Sequence, residues 1–200
     1  MKVFPFAALT IALAIPLALA GCVAPVGPVE VTRFHVPDTA RLGHGAIAVE
    51  PAPGMAGDSL EWRTYAAAVG RQLQLAGYSE QLGGTGDQVA LVRLTRRTYQ
   101  PGRRHSPVSV GLGGGTGSYG SGVGMGIGID LSGPPAEVVE TELAVTIRDR
   151  ASGQSLWEGR SRFVVTAKSP LAGSSLGAAK MTEALFKGFP GNSGETIEVK

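Results

Sequence analysis

The sequence predicts an α+β fold, a single mainly antiparallel sheet covered by two helices, with a long Gly-rich loop. Three observations predict it. Strand-like runs and helix-like runs follow one another in the order strands, helix, strands, helix. Two thirteen-residue alternating runs flank the compact turn sequence RASGQ at 150–154, as a hairpin requires. Two segments carry apolar residues at helical spacing, which gives each a stripe with which to cover a sheet.

The first strand is expected over 29–36, ended by Pro37, and a second over 45–50 (GAIAVE), before the loop PAPGMAG. Asp58 with Glu61 three residues later resembles a capping box. From Leu60 to Ala76, Trp62, Ala66, Val69 and Leu73 share one helical stripe, and Gly77 suits the left-handed position that closes a helix. QVALVRLTRRT at 88–98 reads as a strand with Val89, Leu91, Arg93 and Thr95 on one side and Ala90, Val92, Leu94 and Arg96 on the other. The hairpin strands are 137–149 and 155–167. Ser169-Pro170 is a cap followed by proline, and Ala178, Met181, Leu185 and Phe189 form the second helical stripe. Trp62 and Trp157 read as core or rim aromatics, since each lies in an amphipathic element. No repeat of solenoid period is present.

Between these elements lies the Gly-rich insertion near 106–133. Within it Gly115-Thr-Gly117-Ser-Tyr-Gly120 fits the G-x-G-x-x-G string of a dinucleotide turn. Such a turn needs a helix immediately after it, aiming free N–H groups at a pyrophosphate. Here glycine recurs at every second position from Gly120 to Gly128, and each costs a helix about 1 kcal/mol relative to alanine. An extended chain suits that spacing, with Val123, Met125, Ile127 and Ile129 on one face and bare backbone on the other. The expectation is a glycine loop running into a strand.

The N-terminus addresses the chain. Lys2 precedes an apolar run from Val3 to Ala20 broken by Pro5 and Pro16, the pattern of a secretory signal. Leu19-Ala20-Gly21-Cys22 resembles a bacterial lipobox, which implies cleavage between Gly21 and Cys22 and lipidation of Cys22. Residues 1–21 are then the signal peptide, 22–28 a tether rich in proline and small residues, and 29–200 one α+β domain. Cys22 is the one cysteine in the chain, so the exported domain folds without an internal disulfide. Val23 stands where an aspartate would resemble an inner-membrane retention signal. By that resemblance the address is the inner leaflet of the outer membrane, facing the periplasm. Loss of Lys2 with residues 1–21 takes the net charge from +2 to +1, a nearly neutral mature domain.

Arg93, Arg96, Arg97, Arg103, Arg104 and His105 form a basic cluster, and no acidic residue occurs between Asp87 and Asp130. Outside the cytoplasm nucleic acid is not the expected partner. Anionic lipid, a glycan or an acidic envelope protein is, with a solvated edge that discourages aggregation as the plainer reading. Gly173-Ser-Ser175-Leu-Gly177 fits G-x-S-x-G between a strand and a helix, but His35, His44 and His105 all precede Ser175, whereas a nucleophile elbow's base follows its serine. The histidines lack the close spacing of a zinc site, so neither metal nor cofactor is expected.

The lipobox, the strand near RFHVP, a helix closing with LAGY, the hairpin strand SGQSLWEGRSRF and a final helix ending LFKGFPG together resemble an envelope lipoprotein family, domain of unknown function four-one-three-six. The likeness runs from Val29 to Gly191. It implies an α+β domain of an outer-membrane accessory lipoprotein and transfers no catalytic residues. The function expected is therefore a non-enzymatic, lipid-anchored protein with a binding or scaffolding role. A lipid or glycolipid carrier is the alternative, and a serine hydrolase centred on Ser175 a third reading.

Overall fold

The structure, a computed structural model, describes residues 26–81, 85–102, 108–117, 120–129 and 135–200. Nine strands and two α-helices run in the order β1 (Val29–His35), β2 (Ala46–Pro51), α1 (Leu60–Leu75), β3 (Ser79–Glu80), β4 (Gln88–Tyr99), β5 (Val108–Gly117), β6 (Gly120–Ile129), β7 (Val138–Asp149), β8 (Ser155–Thr166), α2 (Ser174–Phe186) and β9 (Thr196–Val199) among the described residues. Seven strands make one sheet in the order β3-β2-β4-β7-β8-β1-β9. Strand β2 runs parallel to β3 and β4, and the remaining neighbours in this sheet are antiparallel. The mainly antiparallel sheet covered by two helices is thus as expected.

Alternation sorts each strand's residues to two faces. Val29, Val31, Ala90, Val92, Leu143, Val145, Ile147, Trp157, Phe163 and Val165 are buried beneath the helices. Helix α1 turns Trp62, Ala66, Val69 and Leu73 inward, the stripe its spacing dictates. Its N-cap is Ser59 rather than Asp58: the Ser59 hydroxyl accepts from the Trp62 N–H at 3.1 Å. At the other end Gly77 has φ +105°, and the N–H groups of Gly77 and Tyr78 donate to Gln74 and Leu73 carbonyls, which closes the helix. Helix α2 buries Ala178, Met181 and Leu185. It begins later than expected, because Ser169-Pro170 caps a single 3-10 turn (Pro170–Ala172) before α2 starts at Ser174. Phe189 of the predicted stripe lies past the helix end, where it packs with Trp157 and Phe186 at ring centroid distances of 5.2 and 5.7 Å.

The largest departure concerns the Gly-rich insertion. The strand expected at the end of the insertion is present as β6, but in place of the expected loop before it β5 pairs antiparallel with β6 over ten register positions as a separate two-stranded sheet. Glycine entropy opposes such order, but alternation within each strand and a ladder between two backbones outweigh it here. Strands β3 and β9 are also additions; each is too short to show a period.

Candidate functional site

Strand direction places several sequence features at one end of the main sheet. Tyr99, the last residue of β4, pairs with Val138, the first of β7, and Val138 pairs with Thr166, the last of β8. The insertion carrying β5 and β6 therefore leaves and re-enters the body at this end. Val26 and Gly27, the first described residues, lie here too, lining an open groove of about 610 Å³ with Val138, Val164, Val165, Thr166 and Leu171. Its walls are mostly valine and leucine, with Lys168 and Ser169 at the polar margin. Cys22 and Gly21 lie outside the described residues. Cys22 precedes Val26 by four positions, so an extended tether spans at most about 14 Å.

The basic cluster is divided by the pleat. Arg96 points to the helix-covered side, where its Nη1 donates to Glu61 of α1 at 2.7 Å and its Nη2 to the Ala172 carbonyl at 2.5 Å. Burial raises the phenol pKa of Tyr65, and the nearby Arg96 charge opposes that rise. Arg96 thus ties α1, β4 and the turn before α2 together. Arg93 and Arg97 lie on the opposite, open face. Arg93 donates to the Pro53 carbonyl at 3.0 Å. Arg97 donates to Glu140 Oε1 at 2.9 Å, and Arg162 Nε reaches the same oxygen at 2.8 Å. Two guanidinium groups on one buried carboxylate, Arg162 foremost, hold the Glu140 pKa down at about 2. Arg97 keeps two-thirds of its side chain exposed despite the pairing. Arg103 and Arg104 lie outside the described residues, one and two positions beyond Gly102.

Farther along the open face Glu30, Thr32, Phe34, Glu142, Glu158, Arg160 and Arg162 line a shallow depression of about 290 Å³. Both charge signs alternate across it, so it offers no field of one sign.

Ser175 is exposed in the first turn of α2. The 3-10 turn separates it from β8, whereas a nucleophile elbow turns directly from strand to helix. His35 Nδ1 lies 2.7 Å from the Val36 carbonyl oxygen, and the His44 carbonyl accepts from Gln88. Among the described residues there is no group of three or more His, Cys, Asp or Glu placed to hold a metal, and no helix is long and apolar enough to cross a membrane.

Sequence reasoning missed Arg33. It projects from β1 into the layer beneath α2, 2% exposed, and its Nε and Nη2 donate to the Leu185 and Ala184 carbonyls at 3.0 and 3.1 Å. These are carbonyls in the last turn of α2, where the helix dipole favours a cation. Glu195 accepts from Nη1 at 3.1 Å. Burial lowers the Arg33 pKa and Glu195 opposes that. The signal was an arginine at an inward position of an alternating strand, between Val31 and the terminating Pro37.

Comparison with known proteins gives one curated relative, an uncharacterized protein of Zymomonas mobilis, 29% identical over 86% of this chain and 80% of its own. Among solved structures, a PDZ domain protein from Parabacteroides distasonis matches with TM-score 0.48 and 9% identity over 86% of this chain, which spans 39% of that one. A PelC dodecamer from Paraburkholderia phytofirmans matches with TM-score 0.40 and 13% identity, over 77% of this chain and 91% of that one. The family model described as Domain of unknown function (DUF4136) matches residues 34–191, from the end of β1 to the turn after α2, and this chain belongs to that family.

Proposed function

We propose that this protein is a non-enzymatic envelope lipoprotein, anchored through Cys22 to the inner leaflet of the outer membrane, whose domain binds or scaffolds another envelope component. The observation that carries the reading is the lipobox-like Leu19-Ala20-Gly21-Cys22, seven residues ahead of Val29, where the chain enters the sheet. Acyl chains contribute about 0.8 kcal/mol per buried CH₂, so the several chains of a lipoprotein anchor hold it firmly. A short tether then keeps the Tyr99–Val138 end of the sheet close to the bilayer and raises the domain's effective concentration near envelope partners. Anionic headgroups or an acidic partner meet the exposed part of Arg97, with Arg103 and Arg104 adding to it. Metabolic labelling with a fatty acid tests the anchor: label enters the wild type and is lost in Cys22→Ala, whereas an unlabelled wild type refutes it.

The apolar groove lined by Val26, Val138, Val164, Val165 and Leu171 favours a second reading, a lipid or glycolipid carrier. Native mass spectrometry of the purified Cys22→Ala protein distinguishes the two. A co-purifying lipid lost on Val164→Glu supports the carrier; a bare domain mass argues for scaffolding.

A further inference from the structure

The apolar groove opens where one strand pairing stops short. The β1–β8 register runs from His35–Trp157 to Glu30–Arg162 and ends there. On its other side β8 stays paired with β7 as far as Thr166–Val138. Residues 163–166 of β8 therefore have a neighbouring strand on one side only. Carried on, the β1–β8 register would set Pro28 against Val164 and Val26 against Thr166. Odd residues of β1 turn their backbone groups to the β9 side, as the bond from the Arg33 N–H to the Glu195 carbonyl shows, so the even residues face β8. Pro28 falls in that even set and has no N–H with which to continue the ladder. The chain at Val26 and Gly27 instead forms a wall of the groove, and Val26 is 40% exposed.

The groove's chemistry selects its occupant. Val26, Val138, Val164 and Leu171 are among its walls, and such side chains favour contact with hydrocarbon. Its backbone edge suits a further strand poorly. Only Val164 and Thr166 turn backbone groups into it, and the Thr166 carbonyl already accepts from the Ser169 N–H at 2.9 Å. A hydrocarbon chain asks for no hydrogen-bond partner. The volume, about 610 Å³, is that of a pocket for one small ligand, so it admits one acyl chain and leaves the others of a lipoprotein anchor outside. Val26 is both a wall of the groove and four residues from Cys22, a reach of at most about 14 Å. A chain tethered at that distance stands at about millimolar effective concentration, an advantage that no untethered lipid shares.

We infer that the groove houses one acyl chain of the lipid carried by the protein's own Cys22. The remaining chains stay in the bilayer, and the housed chain fastens the Tyr99–Val138 end of the sheet against it. The groove is closed to free lipid until its own chain leaves. Occupancy by the anchor thus regulates the same groove that the carrier reading would have open. This inference rests on the lipid anchor proposed above.

The test uses the full-length chain made in bacteria fed a diazirine-bearing fatty acid, purified from membranes, placed in phosphatidylethanolamine/phosphatidylglycerol vesicles and irradiated. Photo-adducts from the Cys22 lipid are expected within residues 163–171 of the same chain, read by mass spectrometry of its peptides. Val164→Glu and Leu171→Glu each set a charge against hydrocarbon and are expected to lower that adduct yield by at least about tenfold. Both side chains are partly exposed, so the variants are expected to keep the wild-type thermal midpoint. A variant that shifts the midpoint is set aside, and the wild-type adduct map then decides. Mixing light with isotopically heavy chains tells adducts within a chain from adducts between chains. Adducts only between chains, adducts on vesicle lipid alone, or a yield unchanged in both Glu variants overturn the inference and leave the anchor standing. A chain with no label at Cys22 overturns the anchor and the inference with it.

Discussion

Arg33 shows how one side chain can hold two layers together. Its guanidinium replaces water at the Leu185 and Ala184 carbonyls, and only one of its partners, Glu195, carries a charge. Removing it leaves two buried carbonyls and a cavity between β1 and α2. Arg33→Ala is expected to cost about 3 kcal/mol in urea unfolding, in the range for breaking a buried charged network. Glu140 gives a pH-dependent counterpart. Its pKa falls from 4.5 unfolded to about 2 folded, so its contribution is complete above pH 4.5 and lost as pH falls towards 2. The stability difference between wild type and Glu140→Gln is therefore expected to be constant near neutrality and to vanish across that acid window. Gly77 is fixed by backbone instead. At φ +105° a Cβ there would stand 2.4 Å from the Gly43 carbonyl oxygen. Gly77→Ala is expected to lower stability by about 2 kcal/mol, read from the denaturant midpoint.

At the scale of elements, legibility followed length and period. The β7–β8 hairpin and β4 each run twelve residues, so alternation had room to show, and their ends fall within a residue of those expected. Helix α1 was legible because its stripe and closing glycine agree. Strand β9 has only four residues, and it forms because β1 offers an edge, a tertiary cause invisible in TIEV itself. The first half of the insertion misled for a related reason: glycine content reads as loop, while pairing of β5 depends on a partner strand of matching period. For the site, Arg93 was correctly set on the face opposite Arg96, but its partner Pro53 and Arg97's partner Glu140 come from other elements. The α2 stripe supplies a direct check. Leu185 is fully buried and Leu176 is 54% exposed. Leu185→Ala is expected to cost about 3 kcal/mol and Leu176→Ala less than about 0.5 kcal/mol in thermal or urea unfolding.

For the whole molecule, chain direction matters more than any single residue. Val26, the apolar groove, Tyr99 and Arg97 share one end of the sheet, while the Arg41–Asp149 and Arg150–Glu50 pairs close the other. A lipid on Cys22 would turn that asymmetry into an orientation, with the groove towards the bilayer and the 150–154 turn away from it. Sequence alone carried the signal-like segment and the lipobox-like Leu19–Cys22; the shared end emerged only from strand register. The most direct measurement is the mass of the N-terminal peptide of the protein purified from bacterial membranes. A peptide beginning at Cys22 and carrying diacylglyceryl and amide-linked acyl groups is the predicted result; a peptide retaining residues before Cys22, or bearing an unmodified thiol, contradicts the account.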